Sequence, residues 1–147
     1  MSRLTSIILL LLIVATLGWA ADTNETQVEI LAKSTMSWDG STLPQYGEGQ
    51  PEVTILKIVI PPKTKLAMHK HPVINAGVIL EGELTVVTDK EEVLHLKAGD
   101  AIIEVVNKMH YGKNEGDEPV ELIIVYAGIE NVPISVKPQT FDTKEAQ

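Results

Sequence analysis

The chain has 147 residues, with 12 lysines and arginines against 20 aspartates and glutamates, four histidines and no cysteine. That length fits one domain, and 44% hydrophobic with 22% charged residues is the composition of a chain that fills a core instead of staying disordered. The missing cysteines exclude disulfides, thiolate metal sites and thiol nucleophiles, and a net charge of −8 argues against a nucleic-acid partner, which would need a basic face.

Residues 1–20 read as an address. Arg3 supplies a short basic region, residues 7–17 are apolar, and Gly18 and Ala20 stand three positions and one position before a cut after Ala20. Even extended through Ala21 the apolar stretch is 15 residues, short of the roughly 20 needed to cross hydrocarbon. The expectation is a cleaved secretory signal, an exported protein (periplasmic or secreted) and no stable membrane anchor after cleavage. Taking 20 residues and one base from the chain leaves 127 residues, with 11 bases against 20 acids and a net charge of −9.

Residues 21–50 are polar and weakly patterned, an N-terminal arm with one strand near 28–32. From residue 51 the chain turns to short β-rich runs between turn signals. Residues 53–60 are β-branched and end at Pro61-Pro62, which cannot donate ladder hydrogen bonds. Residues 66–71 are the next extended run. Residues 76–80 and 84–88 flank Glu81-Gly82-Glu83, read as a tight hairpin. Residues 93–96 then pair with 84–88 across a turn at 89–92. Ala98-Gly99-Asp100 precedes a run at 101–106, Asn107-Lys108 precedes 109–114, and 120–129 is the longest apolar strand. Residues 51–130 therefore form one all-β domain, a sandwich or barrel. Residues 131–147 form a tail in which 143–146 would frame at most one helical turn.

The histidines carry the chemistry. On an extended run His69 and His71 project from one face, because side chains alternate, and two such imidazoles can chelate one ion. A His-x-His pair alone is a weak signal. His110, about forty residues later near the start of another strand, would complete a three-histidine site with open coordination positions. His95 points away from the face shared by Leu94 and Leu96 and belongs on the exterior. By alternation from Ile102, Glu104 shares a face with Val106, which would allow burial, but it is read as an exterior glutamate. Tyr111 should face away from His110, and Tyr126 toward the interior.

These residues resemble the cupins. The first cupin motif runs Gly, five residues, His-x-His, three or four residues, Glu, six residues, Gly. His69, His71 and Gly82 fall on that spacing, with Lys63 in the place of the leading Gly and Asn75 in the place of Glu. The second runs Gly, five residues, Pro-x-Gly, two residues, His, three residues, Asn. Gly99, His110 and Asn114 match, while Val105 and Asn107 replace Pro and Gly. The resemblance covers about residues 54–129. It implies a double-stranded β-helix, the cupin jelly-roll barrel, holding one divalent metal (Mn, Fe, Zn, Cu or Ni) on His69, His71 and His110. Asn75 either adds a weak neutral ligand or only hydrogen-bonds a bound water or substrate. Small cupins commonly pair through barrel strands, so a homodimer is implied, with 28–32 as an exchanged strand.

Two leading functions come from different classes, beside a third reading as an assembly module that merely retains the motif. One is a metal-dependent enzyme, an oxygenase or related oxidoreductase, or a lyase or isomerase, acting on a small organic molecule. The other is a non-catalytic metal- or small-ligand-binding protein, since among cupins sites without the Glu include both active enzymes and metal-free binders. A barrel lined by Val, Ile, Leu and Ala suits a small ligand in either case.

Overall fold

Alternation in the two longest apolar runs sets the architecture. They form β1 (Pro51–Ile60) and β8 (Val120–Ile129), paired antiparallel from Pro51 opposite Ile129 to Ile60 opposite Val120. Ile60 of β1 and Val120, Leu122, Ile124 and Tyr126 of β8 are buried, with Leu56 and Ile58 packed against them, because every second side chain of a strand faces the same way. Between them come β2 (Thr64–Lys65), β3 (Ile74–Glu81), β4 (Glu83–Thr88), β5 (Val93–Lys97), β6 (Ala101–Ile103) and β7 (His110–Asn114). Two antiparallel four-stranded sheets result, in the orders β1-β8-β3-β6 and β2-β7-β4-β5. Ile79, Leu84, Val86, Leu96 and Ile102 complete the core between them, each contributing about 1.5–3 kcal/mol by leaving water. The all-β jelly-roll expectation holds.

The computed structural model describes residues 25–138. The expected signal segment and the tail residues 143–146 lie outside them.

Three expectations change. Residues 28–32 form no strand, and Val28 and Ile30 are 86% and 70% exposed. Alternation alone does not make a strand, which needs a neighbouring backbone to take its hydrogen bonds, and none is offered there among the described residues. Part of the arm does fold back, with Met36 bridged to Thr42 and the Trp38 amide donating to the Ile103 carbonyl at the β6 edge. The runs at 66–71 and 101–106 are only partly regular. The first contributes isolated bridges at His69, Lys70 and His71, and the second leaves its ladder after Ile103.

The third correction concerns Gly82. It joins β3 to β4, but these strands lie in different sheets, so the connection is a corner and not a hairpin. The chain crosses between sheets in one residue with φ at 78°, a left-handed value that glycine adopts freely. A Cβ at this position would stand 2.5 Å from the Pro119 carbonyl oxygen. Gly82→Ala is therefore expected to cost more than about 2 kcal/mol, adding backbone strain to a steric clash. Equilibrium urea unfolding checks this, and a loss below about 0.5 kcal/mol would show that the corner relaxes.

Candidate metal centre

Backbone pairing, more than side-chain packing, brings the three histidines together. His69 and His110 exchange both amide-to-carbonyl hydrogen bonds, at 2.9 and 2.8 Å, the pattern of directly opposed antiparallel residues whose side chains share a face. His71 is held one pleat further on, where its carbonyl accepts from the Asn107 amide at 2.8 Å. Lys70, between them, exchanges two bonds of 2.9 Å with Val136 in the C-terminal segment. The rings consequently meet with centroids 4.6–5.0 Å apart. One ligand nitrogen from each ring lies within 4.8 Å of the other two.

Hydrogen bonding fixes which nitrogen that is. Nδ1 of His69, His71 and His110 lies 2.8, 2.7 and 3.0 Å from the carbonyl oxygens of Ala67, Ile134 and Lys108 respectively. A carbonyl oxygen only accepts, so each Nδ1 carries its hydrogen and each Nε2 is the nitrogen left to face the centre. Burial holds His69 and His71 below the ordinary imidazole range, which favours the neutral ring a metal requires. Burial also acts against a charged His110, but the Glu104 carboxylate outweighs it and raises that ring above the ordinary value.

Glu104 is the residue whose exterior assignment the structure overturns. It is buried, and its Oε2 lies 2.8 Å from His110 Nε2. Alternation from the buried Ile102 left burial possible, and the exterior assignment followed only from the rarity of buried glutamates. The signal that could have found it is the hydrogen bond from its amide to the Asn75 carbonyl, which no sequence spacing displays. Asn75 is 1% exposed and lines the same cavity. Tyr126 faces inward as expected, 5.3 Å from the His71 ring, and its hydroxyl is pushed up to about 12 by burial and then by the Glu104 charge. His95 is exposed and bonded to Thr85, away from the centre. Tyr111 lies on the outer face beneath Lys65 Nζ.

The donor set fits a cation. Three imidazoles converge, and two buried oxygens that line the cavity with them, Asn75 Oδ1 and Glu104 Oε2, have no hydrogen-bond partner. Nitrogen and oxygen donors of this kind suit several divalent transition ions. The remaining motif residues shape the surroundings. Asn114 is buried and donates through Nδ2 to the carbonyls of Ile60, Pro61 and Glu118, tying the end of β1 to the β7–β8 turn. Lys63 and Asn107 adopt φ of 55° and 57°, the conformation glycine would otherwise supply.

Residues 56–126 match the Cupin_2 family, described as a cupin domain. With the two antiparallel sheets, this makes the fold a cupin jelly roll. Solved structures of similar fold include the DMSP lyases RdDddP and RnDddQII, with 14% identity, a TM-score of 0.52, and 59% of this chain and 44% of that one covered. The DMSP lyase DddQ from Ruegeria pomeroyi DSS-3 matches with 19% identity, a TM-score of 0.51, and coverage of 58% and 42%. A Cupin 2 conserved barrel domain protein from Salinispora arenicola CNS-205 matches with 20% identity, a TM-score of 0.48, and coverage of 58% and 71%. The chain spans less than half the length of the two lyase chains. At these identities the likeness is one of fold. A search of curated protein sequences returned no match.

The loop that delivers His110 is anchored from outside the barrel. Lys108, whose carbonyl orients the His110 ring, forms an ion pair with Asp39 of the arm, and Asp39 also accepts from the Ser41 hydroxyl and amide. Desolvation opposes the charged Asp39, but these contacts prevail and lower it to about 2 from 3.8. A depressed carboxyl stabilises the fold above its unfolded value, and that stabilisation is lost as pH falls from about 4 to about 2. Asp39→Asn should therefore lower the melting temperature by roughly 4–8 °C at pH 6, for a loss of about 1 kcal/mol. The deficit should shrink toward zero near pH 2. A deficit independent of pH would show that the ion pair is not its source.

Proposed function

We propose that this protein is an exported metal-binding cupin in which His69, His71 and His110 hold one divalent ion beside a small apolar cavity that admits a small organic molecule. The observation that carries this is the set of three Nδ1–H···O=C bonds, which leaves all three Nε2 lone pairs free in one cluster of rings. Second-sphere bonds of this kind fix ring orientation and raise ligand basicity.

The cavity has a volume of about 70 Å³, room for two or three waters at about 30 Å³ each, or for a ligand of a few non-hydrogen atoms. Its walls, Ile58, Ile60, Leu66, Leu84, Val86 and Ile124, exclude bulk water and strengthen electrostatic interactions inside. Tyr126 keeps its phenolic proton at neutral pH, and the Asn75 amide can orient a bound polar group. A divalent ion bound here would supply Lewis acidity or dioxygen activation. An enzyme of the oxidoreductase or lyase class is one use of such a centre. A non-catalytic metal- or ligand-binding role is the other, favoured by the neutral Asn75 in the place of a carboxylate base. The lyases named above share only the fold, so their substrate is not assigned to this chain.

Elemental analysis of protein recovered from its exported compartment should find about one equivalent of a divalent transition metal, and His71→Ala should reduce it at least tenfold. Equal metal in both would remove the site. Oxygen uptake or substrate consumption across a panel of small acids and phenols then separates the two roles. Metal-dependent turnover supports the enzyme, and tight binding without turnover supports the binder.

The same reading includes a homodimer. Among the described residues β1 is a sheet edge, with Val53, Ile55 and Val59 exposed, and Val28, Ile30 and Leu31 of the arm are exposed as well. An apolar edge of this kind is a liability unless covered. A second copy whose 28–32 segment adds to that edge would cover both at once. Light scattering should give twice the chain mass, and Val28→Asp/Ile30→Asp should give one chain mass. A wild-type monomer would exclude the pairing.

A further inference from the structure

Building on the proposed three-histidine centre, we infer that Glu104 is the anionic ligand of the site, a carboxylate delivered from just beyond β6 in place of one at position 75 on β3. Asn75 stands where the cupin motif carries Glu, which leaves a dication surrounded by neutral imidazoles and apolar walls. Uncompensated charge in such surroundings is strongly disfavoured. Glu104 is the only carboxylate among the residues that line the cavity. Its amide donates to the Asn75 carbonyl at 3.1 Å, so the two residues are backbone neighbours and the carboxylate has moved by one strand.

The geometry suits ligation. Glu104 Oε2 is 2.8 Å from His110 Nε2 and has no other polar partner. Two donors on one ion, each about 2.1 Å from it and at right angles, are themselves about 3 Å apart. The contact therefore has the spacing of adjacent ligands. The three imidazoles alone satisfy the mutual 4.8 Å spacing, so binding would draw the Glu104 side chain inward. Its Oε2 is buried, and the contact it would exchange for the ion is the one to the His110 ring, itself a ligand.

The test compares wild type, Glu104→Gln and His71→Ala, each stripped of metal and titrated with Co2+ against a chromophoric competitor. Glu104→Gln keeps the side-chain volume, and thermal unfolding of the apo forms verifies that it folds. It should bind Co2+ at least about tenfold more weakly and show a changed visible ligand-field spectrum. An affinity equal to or above wild type, or an unchanged spectrum, overturns the proposal. A Glu104 that merely pairs with His110 would oppose metal entry, and its removal would leave binding as tight or tighter. A crystal structure of Co2+-loaded wild type, which needs no variant, should place a Glu104 oxygen within about 2.2 Å of the ion, and a separation beyond about 3 Å overturns the proposal. Wild type that binds no Co2+, like His71→Ala, overturns the histidine centre and the proposal with it. Wild type that binds while Glu104→Gln matches it overturns the proposal alone.

Discussion

The reciprocal backbone pair between His69 and His110 is the join on which the site depends. Two hydrogen bonds, at 2.9 and 2.8 Å, set these residues directly opposite one another across the barrel mouth. Once they are opposed, alternation turns His71 to the same side, and the bond from the Asn107 amide to the His71 carbonyl locks it there. None of the three rings is placed by side-chain packing alone. Each is a strand or bridge residue whose backbone is already committed, and each then donates Nδ1–H to a carbonyl. Preorganisation of this sort removes the conformational entropy that ion binding would otherwise cost.

The rest of the chain supports that join from several directions. The C-terminal segment grips Lys70 and supplies the Ile134 carbonyl to His71, so residues well beyond the last strand orient a ring near the middle of the sequence. The N-terminal arm reaches Lys108 through Asp39 and steadies the turn before His110. Asn114, four residues after His110, holds the loops at the far end of β7. Left-handed Lys63 and Asn107 show that the turns of the two motifs tolerate departures from glycine where the local contacts hold the backbone. Lys63 is fixed by Asp117 and the Glu115 carbonyl, each at 2.8 Å. Gly82 has no such substitute, since the Pro119 carbonyl fills the space a side chain would need.

Much of the fold was legible because period-two alternation is a local property. The strand at 120–129, the hairpin across residues 89–92, the outward His95 and the inward Tyr126 all follow from it. The convergence of the histidines was legible too, because motif spacing encodes a fixed number of pleats between ligands. What the sequence hid was non-local. Gly82 looked like a hairpin turn because a one-residue glycine link is the same whether the flanking strands pair or part into two sheets. Residues 28–32 looked like a strand because alternation does not say whether a partner edge exists within the chain. Glu104 looked exterior because glutamates are seldom buried, although alternation from Ile102 left burial open, and only the cavity it lines shows what the carboxylate meets there.

The central claim is that three Nε2 lone pairs, selected by three backbone carbonyls, form one metal centre. Long-range 1H–15N correlation spectra of wild-type protein titrated with Zn2+ test it most directly, because they report each imidazole nitrogen separately. The account predicts that the Nε2 resonances of His69, His71 and His110 shift together and saturate at one equivalent. Their Nδ1 atoms should stay protonated, and His95 should not move. Ligation through any Nδ1, a response from fewer than three of these rings, or an equal response from His95 would contradict it.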